Sequence, residues 1–187
     1  MTPFDYTSVL SSIIVGLALT DILVSVHRLL RAGPKVKWDW AAPVAALLVT
    51  LTLIQIWWLL YRPTDAGMTI GQFLPLLVEL VLLFLLASAA LPDEVPAEGV
   101  DLKAYYDRNR PYFWALFTAA LAWTMVMQAI EEFPAGGSLV SLLIGRSADL
   151  AALAVFASMI FIRQRWWHVI GFLLLAVGPV GWLSRSL

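Results

Sequence analysis

The chain has 187 residues, 61% of them hydrophobic and 13% charged, with a net charge of −1 and no cysteine. Soluble domains are about 45–50% apolar and about 25% charged, so the surplus apolar surface belongs in lipid. The charge balance offers nucleic acid no basic surface, and the missing thiols exclude disulfides, thiolate metal sites and thiol catalysis.

The hydropathy pattern predicts an all-α membrane protein, a single domain of six transmembrane helices. Six spans of about 20 residues with short loops use nearly the whole chain. The first helix is expected at Thr7–Leu30. No basic region precedes its apolar run, so it reads as a retained helix rather than a signal peptide. Ser8, Ser12, Gly16 and Thr20 recur every four residues and form a stripe of small side chains. Such a stripe lets helix backbones approach, which predicts that helix one is central, and a homo-oligomer is expected as well. Asp21 interrupts the same run. An intramembrane carboxylate is costly, so it should face protein or water.

Helix two is expected at Trp40–Tyr61, with Pro43 in its first turn and Gln55 as its polar interior residue. Helix three is expected at Met68–Leu91 with a kink at Pro75 and Glu79 one turn later. From Asp101 either a short interfacial helix starts, with Leu102, Tyr105 and Tyr106 on one face, or the segment is a solvated loop with incidental tyrosines. Pro111 suits the first turn of helix four, Tyr112–Ile130, which carries Gln128. Phe133–Gly137 makes a tight loop, helix five covers Ser138–Ile162 with Arg146 and Asp149, and helix six covers Trp166–Leu183. Most of the nine tryptophans fall near predicted interfaces, where an aromatic belt is expected, and Trp123 is the one inside a helix.

In this arrangement Arg28, Arg31, Lys35, Lys37, Lys103, Arg108, Arg110, Arg163 and Arg165 share one side, against Arg62 and Arg185 on the other. The basic side is cytoplasmic by the positive-inside rule, which places both termini outside.

The candidate functional residues are Asp21, Glu79, Arg146 and Asp149 in the membrane interior, with Gln55 and Gln128 nearer the outer end. Arg146 and Asp149, three apart, can pair within one helix. Asp21 and Glu79 have no same-helix partner and would line a shared polar cavity near the midplane between helices one and three. Two functions follow. One is a path for protons or small cations along the carboxylates. The alternative is a non-conducting scaffold, sensor or assembly partner whose buried charges fix helix register. No zinc spacing, Ser-His-Asp set or phosphate loop is present, so no catalytic residue and no cofactor is expected. His27 and His168 sit at equal depth and are the weak candidates for haem ligation, with two interfacial histidines as the plainer reading.

The opening Phe4-Asp5-Tyr6-Thr7-Ser8-Val9-Leu10-Ser11-Ser12-Ile13-Ile14-Val15-Gly16-Leu17-Ala18-Leu19-Thr20 resembles the start of a family of short multi-spanning bacterial membrane proteins of unassigned function. Arg28 and Arg31, then Ile54-Gln55 with Trp57-Trp58, then Pro92-Asp93, continue the likeness over roughly the first 110 residues. The resemblance implies a bacterial inner-membrane protein and no particular chemistry.

Overall fold

The computed structural model describes residues 3–60, 70–132 and 145–183. The described residues form six α-helices: α1 Pro3–Ala32, α2 Ala41–Leu60, α3 Ile70–Ala90, α4 Leu102–Glu132, α5 Ser147–Phe161 and α6 Arg165–Leu183. Five of them, all but α5, are long and apolar enough to cross a membrane. Helix α5 has 15 residues. The expected loop at 133–137, the start of the fifth helix at 138–144, and Arg62 and Arg185 lie outside the described residues. The protein is thus an all-α, multi-pass membrane protein.

Of the two readings from Asp101 the helix is present, but it is not a separate interfacial helix: it runs without a break through Pro111 into the fourth span. Leu102 and Tyr106 are buried on the shared face and Tyr105 is half-buried, so that face packs on protein. At 31 residues α4 is about 46 Å long, against a hydrocarbon core of about 30 Å. Its first turns therefore have room to project beyond the core.

Between α1 and α4 lies an element that the hydropathy pattern hides. Val36–Lys37 (β1) pairs in parallel with Val100–Asp101 (β2), joining the segment after α1 to the segment before α4. Two-residue strands carry no periodicity to read. Gly33 ends α1 with φ +55°, and Gly99 enters β2 with φ +98°.

Helix α1 is not the hub that its small-residue stripe predicts. It packs on α2 and α3, whereas α2 packs on α1, α3, α4 and α6. Ser12, Gly16 and Thr20 are exposed; the Ser12 hydroxyl accepts from Trp57 Nε1 of α2 at 3.1 Å, but a β-carbon on Gly16 would meet nothing within 4 Å. The buried line on α1 is Ser11, Val15, Ala18, Ile22, Ser25 and Leu29. The reason is geometric. Each helical residue turns the chain by about 100°, so a strict four-residue stripe drifts by about 40° per step, while alternating steps of four and three stay on one face. The small residues that are turned inward lie instead on α2, whose Ala41, Ala42, Ala45 and Ala46 are all buried. Gly16→Leu is accordingly expected to leave the thermal midpoint of the purified chain unchanged or raise it slightly, since an exposed helical glycine costs about 0.5–1 kcal/mol relative to better helix formers. A fall of several degrees would place the stripe in a contact.

Candidate functional site

The polar residues of the membrane interior do not meet in one place. Ser88 of α3 donates to Asp21 Oδ2 at 2.6 Å. Ser88 lies two residues from the end of α3, so Asp21 meets α3 close to that helix's C-terminal end. Glu79 occupies the middle of α3 and turns to α4. Thr124 shares its one hydroxyl proton between Glu79 Oε1 and the Ala120 carbonyl, both at 3.0 Å. Next to it, Trp123 Nε1 donates to the Pro75 carbonyl at 2.8 Å. Two consecutive residues of α4 thus fasten α3 at its proline and one turn beyond it, and Trp123 acts as an interhelical tie. Ser88 and Glu79 are nine residues apart on α3, about 13 Å along the axis. The expected shared cavity of Asp21 and Glu79 is replaced by two separate contacts on different helix pairs.

The other candidates are similarly dispersed. Gln55 Oε1 of α2 lies 3.9 Å from where a β-carbon on Gly178 of α6 would sit. Arg146 donates from Nη1 to Gln128 Oε1 of α4. Arg146 has non-helical dihedrals and caps α5 instead of lying within it. Asp149 is exposed in the first turn of α5, where a carboxylate complements the helix dipole.

His27 is exposed, while His168 is buried, so the two do not form a matched pair. His168 Nε2 faces the Ile162 carbonyl at 2.9 Å, and Nδ1 faces the Tyr106 hydroxyl at 2.9 Å. A carbonyl only accepts, so Nε2 carries the proton and Nδ1 takes the one from Tyr106. Trp114 Nε1 donates to the same hydroxyl oxygen at 2.9 Å. Arg110 Nη1 also donates to the Ile162 carbonyl, at 3.0 Å, while its buried Nε has no partner among the described residues. This directed chain, Trp114 to Tyr106 to His168 to Ile162, ties α4 to α6 and to the α5–α6 turn. It occupies both ring nitrogens, so His168 is a tie and not a haem ligand in this arrangement.

Around the chain lies an aromatic core. Trp114, fully buried, stacks on Phe156 at 5.5 Å and 17°, and meets Phe113 and Phe172 at 5.3 Å each. Residue type alone does not separate Trp114 from the belt tryptophans; the usable signal is its eight-residue spacing from Tyr106, which puts both on one helix face.

At the same end Asp39 joins α2 to α6. Arg165 Nη1 contacts Asp39 Oδ2 at 2.8 Å and Nη2 contacts Oδ1 at 3.4 Å, while the Ala41 amide donates to Oδ1 at 3.2 Å. Burial by itself would raise the Asp39 pKa, but the Arg165 and Ala41 hydrogen bonds and the nearby cationic charge outweigh it and hold the carboxyl below its ordinary range. Asp39 was missed because a lone acid between Trp38 and Trp40 looks like a loop residue.

Protein-family models, curated proteins and solved structures gave no match to this chain. The class is therefore defined by the fold itself, a polytopic helical membrane protein with its polar groups tied between helices.

Proposed function

We propose that this protein is a non-conducting membrane scaffold or assembly partner whose intramembrane polar groups hold the bundle in register. The observation that supports this is the separation of the two carboxylates. Asp21 binds α3 through Ser88, and Glu79 binds α4 through Thr124, each with a hydroxyl from a neighbouring helix. A conduction path needs such groups in sequence along one route, whereas register needs one tie per helix pair. The location we propose is a bacterial inner membrane, with the end that carries Arg28, Arg31, Lys35 and Arg165 in the cytoplasm and both termini outside.

Ion flux tests the reading. Liposomes holding the purified protein are expected to pass protons and small cations no faster than empty vesicles under a pH gradient or applied voltage. Asp21→Asn and Glu79→Gln should instead lower thermal stability, each by about 0.6 kcal/mol and at most about 1.7, the range for interhelical hydrogen bonds in membranes. Flux above background that either substitution abolishes would replace the scaffold with a carboxylate path.

A further inference from the structure

A pocket of about 570 Å3 opens at the basic end, between the last turns of α1 and the loop that follows α3. Arg28, Arg31 and Lys35 line it with Ala32, and Glu94, Val95, Pro96 and Ala97 close the other side. Arg28 and Arg31, three apart, share one side of the last turns of α1, and Lys35 joins them from the tight turn Gly33–Lys35 that follows. The loop that faces them is held at both ends. Arg28 Nη1 donates to the Asp93 carbonyl, and beyond the pocket β1 pairs with β2 at Val36 and Val100. Among the described residues Arg31 and Lys35 engage no carboxylate at ion-pair distance, and Glu94 is paired with none of the three cations. Three exposed positive groups therefore share an open recess with a single negative one.

We infer that this recess binds the phosphate headgroup of an anionic lipid from the leaflet at the basic end. The phosphate chemistry follows from three cationic donors converging on one recess. A lipid rather than a soluble phosphate follows from what continues beyond the recess. Arg31, Val24, Leu17 and Leu10 recur every seven residues along α1, and all four are exposed. A headgroup at Arg31 thus has an apolar track beside it on which an acyl chain can lie. Trp38 and Trp40 are exposed just past the pocket, at the position of an interfacial belt. The track ends where the cations begin, as the acyl and phosphate parts of one lipid do.

Native mass spectrometry of the whole chain in mild detergent, titrated with phosphatidylglycerol and with phosphatidylcholine of the same acyl chains, tests this. Phosphatidylglycerol should be retained at lower concentration. Each cation near an anionic lipid contributes about fivefold, so Arg31→Gln with Lys35→Gln should weaken retention by about 25-fold. Lys103→Gln with Arg108→Gln removes as much charge at exposed sites outside the pocket and should leave retention nearly unchanged. Glu94→Gln should tighten it several-fold, and this gain serves as the test if the double variant fails to fold. Equal retention of the two lipids, equal loss in the two charge-removal pairs, or no gain with Glu94→Gln would each overturn the inference. Displacement by millimolar inorganic phosphate or glycerol phosphate would overturn the lipid assignment in favour of a soluble anion.

Discussion

Trp114→Ala is expected to destabilise the bundle by about 3–5 kcal/mol, the range for removing a fully buried large aromatic side chain. The ring stacks on Phe156 of α5, meets Phe172 of α6 and packs beside Phe113 and Phe117 of its own helix. Its removal opens a cavity where three helices join. In a membrane the loss comes mainly from packing, because lipid tails are as apolar as the core. Alanine also takes away the indole N–H, the first donor of the chain through Tyr106 to His168. Trp114→Phe separates these contributions. It keeps most of the ring contacts and loses the donor, so it should cost about 1 kcal/mol. Thermal unfolding in a mild detergent reads both. An alanine variant that melts within a few degrees of the parent would mean that the aromatic core does not hold α4, α5 and α6 together.

Gly99→Ala is expected to be the most damaging single-methyl change. Its φ of +98° lies where a side chain is strained, which costs about 1–3 kcal/mol for the backbone alone. The added β-carbon would also lie 2.4 Å from the Lys35 carbonyl oxygen and 3.3 Å from its carbon. That neighbour is backbone and cannot rotate away. The expected result is loss of the β1–β2 pairing with the helices intact, read as faster hydrogen exchange at Val36, Lys37, Val100 and Asp101. Gly33→Ala is the control. Gly33 also has positive φ, at +55°, but a β-carbon there meets nothing within 4 Å. It should cost about 1–2 kcal/mol, the left-handed penalty alone. Equal exchange in the two variants would show that the Gly99–Lys35 contact is not what fixes the loop.

How far the candidate site was legible depends on the range of the interaction. Arg28, Arg31 and Lys35 were visible as a basic cluster at and just after the end of α1, because charge and closeness along the chain are local properties. That a loop some sixty residues later folds over them to make a pocket was not, because Arg28 reaches the Asp93 carbonyl through tertiary contact alone. Asp21 and Glu79 were visible as costly groups in apolar runs. Their partners Ser88 and Thr124 were not, since a serine or threonine in a span normally bonds its own helix, as Thr20 does to the Gly16 carbonyl at 2.7 Å.

The sequence by itself determined that this chain enters a membrane, that its described spans are helical, and which of its residues are expensive to bury. Each of these follows from hydropathy and from the need to satisfy every backbone amide within a segment in lipid. Tertiary structure decided which helix face turns inward, and so it exposed the Ser12–Gly16–Thr20 stripe and buried the alanines of α2. It also decided that Trp114, alike in composition to any belt tryptophan, joins His168 and Tyr106 in the core. Facing is set by the sum of contacts with all neighbouring helices. A one-dimensional pattern carries only the helix's own contribution to that sum.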